Sequence, residues 1–110
     1  MSSAVVDRQV DAYNRGDVEA FLACYAQGVV VEDAMGERII VGFEAMRATY
    51  APFFDANPDL RATVEHRVEL GSYVVDHERL RGVTDPSEPD EAVVVYHLSG
   101  DLIDHLRFIS

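Results

Sequence analysis

A chain of 110 residues with 48% hydrophobic content has the size and composition of one folded domain, 1–110, rather than a disordered segment. Its formal net charge of −11 argues against nucleic acid and anionic membranes as partners, since both ask for a basic surface. Cys24 stands alone, so no internal disulfide can form. The N-terminus has no apolar signal core and no run is long enough to span a bilayer, which makes a reducing cytoplasm the expected setting.

In chain order, Val6, Val10 and Tyr13 recur at helical spacing and predict an amphipathic helix over about residues 3–14. Gly16 suits the left-handed position that ends it, and Asp17 is placed to cap the next helix. Val18, Phe21, Leu22 and Tyr25 form a second apolar stripe, closed by Gly28. Cys24 falls in this stretch and reads as a buried thiol. Val29-Val30-Val31-Glu32-Asp33 then reads as a strand ending in an acidic pair, because three β-branched residues in succession favour extended chain. Met35-Gly36-Glu37 turns into a short strand, Arg38 to Val41. Gly42 precedes a third helix carrying Phe43, Met46, Tyr50 and Phe53, with Pro52 expected to kink or shorten its last turn.

The second half reads as four long strands. Leu60, Ala62, Val64, His66, Val68 and Leu70 alternate with polar residues, the pattern of a half-buried antiparallel strand. A two-residue loop at Gly71-Ser72 pairs Leu70 with Tyr73, Val68 with Val75 and His66 with His77, and sets Arg67 against Asp76 on the other face. The proline-rich stretch from Thr84 to Asp90 is a loop. Ala92 to Leu98 is a buried strand, and Gly100-Asp101 turns into Leu102 to Ile109. Counting back from that turn pairs Leu98 with Ile103, Tyr96 with His105 and Val94 with Arg107. Val95 with Leu106 and Val93 with Phe108 make an equally good core face, so the count leaves open which side is inside.

This order of elements resembles the nuclear transport factor 2-like superfamily, in the SnoaL-like and ketosteroid isomerase-like branch. Tyr13-Asn14-Arg15-Gly16-Asp17 with Phe21, Val31-Glu32-Asp33-Ala34-Met35-Gly36, Gly42, and the closing Gly100-Asp101-Leu102-Ile103 carry the resemblance. It covers nearly the whole chain. It implies an α+β, cone-shaped cystatin-like fold with three helices on a curved, mostly antiparallel sheet, dimerising through that sheet. In the isomerase an aspartate in a similar setting is the general base, and Asp33 falls on it. The isomerase's oxyanion-hole tyrosine and protonated aspartate correspond to Gln9 and to a position near Val94. The base position is therefore matched and the oxyanion donors are not.

Asp33 is the candidate catalytic residue, as a base on a pocket floor, or else the cap of its own turn. Candidate substrate-binding residues are Tyr13, Tyr50, Phe54, His66, His77 and Tyr96. His66 and His77 with Asp33 would make a two-His, one-carboxylate metal set; the plainer reading is a hydrogen-bonded histidine pair and no metal. Tyr96, His105 and Arg107 share one face of the last hairpin, and either hold a ligand or meet water or a second subunit on the sheet's outside. Phosphate-loop, CxxC, nucleophile-elbow and HExxH motifs are all missing, so no cofactor is expected. The partner expected is a small apolar molecule, together with a second copy of the chain. The function expected is cofactor-free isomerase, cyclase or hydratase chemistry, or ligand binding without chemistry, or an interaction domain.

Overall fold

A computed structural model describes residues 3–110. The elements run α1 (Ala4–Arg15), α2 (Val18–Leu22), β1 (Tyr25–Glu32), β2 (Arg38–Val41), α3 (Phe43–Ala56), β3 (Arg61–Leu70), β4 (Tyr73–Arg81), β5 (Glu91–Ser99) and β6 (Leu102–Ile109). The six strands make one sheet in the order β2-β1-β6-β5-β4-β3, antiparallel throughout except for β1 beside β6. The three helices pack on one face of it. No helix among the described residues is long and apolar enough to cross a membrane.

Local chemistry accounts for the helical half. Gly16, at φ 68°, ends α1 in the left-handed conformation that costs glycine least, and the Asp17 carboxylate accepts the Ala20 N–H at 3.1 Å to cap α2. The Asn14 amide pairs with both backbone groups of Ala62, at 2.9 and 2.6 Å, and so ties the end of α1 to β3. The second helix is shorter than its stripe predicts. It stops at Leu22, and Tyr25 is already in β1, where it pairs with Ile103 of β6. The parallel pairing supplies backbone partners that one more helical turn would have forgone. α3 runs through Pro52 to Ala56, and its Met46 and Phe54 enter the core.

The hairpin registers are the predicted ones near each turn, and both then slip by one residue. In β3–β4 the pairs Leu70–Tyr73, Val68–Val75, Arg67–Asp76 and His66–His77 form, but the next pair is Val64–Glu78, with Glu65 left over as a bulge. In β5–β6, Leu98 pairs with Ile103; His97 then pairs with His105, and Asp104 is the extra residue. Each bulge exchanges the faces of everything beyond it, because strand side chains alternate.

Two readings are corrected as a result. Leu60, Ala62 and Val64 face the helices, whereas His66, Val68 and Leu70 turn outward, with Leu70 77% exposed. Tyr96 does not share a face with His105 and Arg107. It pairs with Leu106 and lies inside, while His105 and Arg107 lie outside on Glu32, at 2.9 and 3.4 Å.

Candidate functional site

The helices do not fill the space between themselves and the sheet. They leave a cavity of about 660 Å³, within the range of small-molecule sites, lined by Gln9, Tyr13, Tyr50, Phe53, Glu78 and Tyr96 among others. α1 contributes Gln9 and Tyr13, α3 contributes Tyr50 and Phe53, and neighbouring strands contribute Glu78 and Tyr96. The turn after β1 and the loop after β4 reach the same cavity through Asp33, Met35, Val83 and Glu88. Met35 is 92% exposed, which places that turn at the rim. The β4 loop is held by geometry. Gly82 has φ 78°, and a Cβ there would sit 2.1 Å from the Asp59 carbonyl oxygen.

Glu78 is the one carboxylate in the cavity wall that is buried, at 7% exposure. Its Oε2 accepts the Tyr96 hydroxyl at 3.0 Å, and its Oε1 has no protein hydrogen-bond partner among the described residues. Burial pushes this carboxyl from 4.5 up to about 7. The Tyr96 hydrogen bond and Arg67 pull it down, and the negative charge of Asp76 adds to the rise. That lies in the range where a carboxyl can exchange a proton near neutrality.

Four tyrosines surround it. Tyr25 donates to the Gln9 amide oxygen at 2.7 Å, which fixes both side chains. The Tyr13 and Tyr50 hydroxyls make no protein hydrogen bond among the described residues, so both are available as donors. Burial holds both in the protonated form, with Tyr50 pushed up to about 12 and Tyr13 raised further; Glu78's charge adds to both. The rings hold one another in place. Phe21 lies with its centroid 5.0 Å from Tyr25, 4.9 Å from Tyr50 and 5.1 Å from Phe54, and Tyr13 meets Phe54 edge-on at 5.3 Å.

Of the residues expected from sequence, Tyr13, Tyr50, Tyr96 and Asp33 come together on this cavity. Phe54 stands one layer behind it, buried among the rings. His66 and His77 are elsewhere. They stack at 5.9 Å on the outer face of the sheet, where His77 bonds Glu91. The two-His, one-Asp set is not assembled, and among the described residues no cluster of three or more histidine, cysteine or acidic side chains is arranged for a metal. Asp33 Oδ1 accepts the Met35 and Glu37 N–H groups, both at 2.9 Å, the geometry of a turn cap. Glu78 was not singled out from sequence. β4 reads Tyr73-Val-Val-Asp-His-Glu-Arg-Leu-Arg81, and neither of its alternating faces is cleanly apolar.

With this arrangement in view, comparison with known proteins defines the class. The model of the SnoaL-like domain matches residues 6–108, and the chain belongs to that family. It is similar over its full length to an uncharacterised cystatin-fold protein from Novosphingobium aromaticivorans, with 27% identity, 99% of that chain covered and a TM-score of 0.87. A provisionally assigned polyketide cyclase from Sinorhizobium meliloti shares 21% identity over 96% of this chain and 93% of its own, with a TM-score of 0.80. A SnoaL-like protein of unknown function from Burkholderia thailandensis shares 20% over 98% and 96%, with a TM-score of 0.79. The latter two likenesses speak to the fold alone. No curated protein matches the sequence.

Proposed function

We propose that the protein is a cofactor-free acid–base enzyme of a small, largely apolar molecule, of the isomerase or cyclase kind, with Glu78 as the group that takes and returns the proton. The observation that carries this is a buried carboxylate whose second oxygen is left for a ligand. Tyr96 orients Glu78 and keeps one oxygen occupied. On this reading the unionised Tyr13 and Tyr50 hydroxyls donate to an oxygen that becomes negative as a carbon–hydrogen bond breaks, the work of an oxyanion hole. They stand in for the donors that Gln9 and Val94 do not supply. The aromatic walls lower the local dielectric and so strengthen each of these interactions.

The test uses 5-nitrobenzisoxazole, a neutral aromatic probe whose ring opens when a base removes its C3 proton. The protein should speed the opening, with a rate that rises with pH through about 7 as Glu78 ionises. Glu78→Gln should remove the acceleration. A wild-type rate equal to background, or an unchanged rate in Glu78→Gln, contradicts the reading.

A second copy of the chain is proposed on the outer face of the sheet, where Val68, Leu70 and Tyr73 are left uncovered by any element of the chain. Sedimentation equilibrium should return a dimer that Leu70→Glu weakens; a wild-type monomer at tens of micromolar contradicts it.

A further inference from the structure

We infer that the molecule this cavity takes is a cation: an apolar body carrying a basic or quaternary nitrogen. The inference rests on the reading of Glu78 as the working group and narrows its substrate. The acids in the cavity wall are Asp33, Glu78 and Glu88, and no lysine, arginine or histidine lines it among the described residues. The guanidinium whose charge reaches Glu78, that of Arg67, is held by both oxygens of Asp76, at 2.7 and 2.9 Å, and by Asp7 at 2.5 Å. It is committed to those two acids and does not line the cavity.

The three acids differ in exposure. Glu88 is exposed and Asp33 half-buried at the rim, while Glu78 is buried at depth. Carboxylates along a low-dielectric passage raise the local concentration of cations and oppose anions, and the overall charge of −11 acts in the same sense. The walls fit as well. Tyr13, Phe21, Tyr25, Tyr50, Phe53 and Tyr96 give the cavity an aromatic lining. Ring faces attract a desolvated ammonium group through their quadrupole while tolerating its hydrocarbon substituents. A purely apolar ligand would leave the ionised form of Glu78 buried without a counter-charge, and an anionic one would make that worse. A cation alone among the three satisfies both the floor and the walls.

The experiment compares three probes of similar size by calorimetry and thermal shift at pH 8. They are benzyltrimethylammonium, its neutral carbon isostere neopentylbenzene, and phenylacetate. The cation should bind at least tenfold more tightly than neopentylbenzene, and phenylacetate should not bind measurably. In Glu78→Gln, which keeps an acceptor for Tyr96, the ratio between cation and isostere should fall to within threefold. Neopentylbenzene binding as tightly as the cation to the wild-type protein overturns the inference, whatever the variant does. So does a preference that survives in Glu78→Gln. If the neutral isostere wins while 5-nitrobenzisoxazole is still opened through Glu78, the substrate class is wrong and the acid–base reading stands. If no probe binds and no ring opens, both fail.

Discussion

Asp76 and Glu78 lie two residues apart on the inner face of β4, both buried, and the protein treats them in opposite ways. Asp76, at 0% exposure, has both oxygens on the Arg67 guanidinium, and that arginine also binds Asp7 and Ser3 near the start of α1. Glu78 faces a cavity with a tyrosine hydroxyl and no cation of its own. One end of the strand is thus a closed electrostatic joint between sheet and helix, and the other is an open one. Burial alone does not mark a functional carboxylate. Burial without a counter-charge, beside a cavity, is what singles out Glu78 as the candidate.

The outer face makes the same point by contrast. Three of its acids, Glu32, Glu91 and Asp104, are each matched to a histidine, with His105 on Glu32 and His97 on Asp104 at 2.9 and 2.6 Å. These pairs are part-exposed and contribute modestly. Among the described residues, all four histidines lie on that face, away from the cavity.

The contrast can be broken first at its closed end. Arg67→Met leaves Asp76 buried with no partner cation and should cost about 3–5 kcal/mol in urea unfolding. A cost below about 1 kcal/mol would mean that Asp76 is not a closed joint. Glu78→Gln tests the open end, and its sign is opposite. The folded-state pKa of Glu78 is raised from 4.5 to about 7, so in that window the native state holds a proton that the unfolded state has released. Stability contributed by Glu78 is complete below pH 4.5 and is lost as pH rises through 7, about 3 kcal/mol in all. Denaturation at pH 5 and pH 8 should therefore show wild type losing most of that relative to Glu78→Gln, with the variant the more stable at pH 8. Parallel curves would contradict it.

The smallest effect is expected at the rim. Asp33→Asn keeps an acceptor for the Met35 and Glu37 N–H groups and should change stability by no more than about 1 kcal/mol. Opening of 5-nitrobenzisoxazole should stay within twofold of wild type. A loss comparable to that in Glu78→Gln would return the role of base to Asp33.

What the sequence made legible was the set of elements and the turns between them. Gly16, Asp17, Gly71-Ser72 and Gly100-Asp101 carry their conformations in their own chemistry, and the pairs nearest each hairpin turn follow from loop length. Faces were legible only as far as the next bulge. Glu65 and Asp104 are ordinary strand residues in the sequence, yet each takes the extra position and inverts what lies beyond. That inversion sent His66 outward and Arg67 inward, and it separated Tyr96 from His105. Asp33 stood out because it closes a valine run, whereas Glu78 lies among charged neighbours and gains its meaning only from Tyr96 and the cavity beside it. The parallel seam between β1 and β6 joins the first strand to the last, a long-range pairing with no local signal.

The central claim is that Glu78 is a buried carboxylate without a counter-charge, and its own titration tests it most directly. Following the Glu78 side-chain carboxyl carbon by NMR from pH 3 to pH 9, with Glu78→Gln to assign the resonance, should give a midpoint near 7. A midpoint near 4.5, the value of a glutamate in open water, would contradict the account.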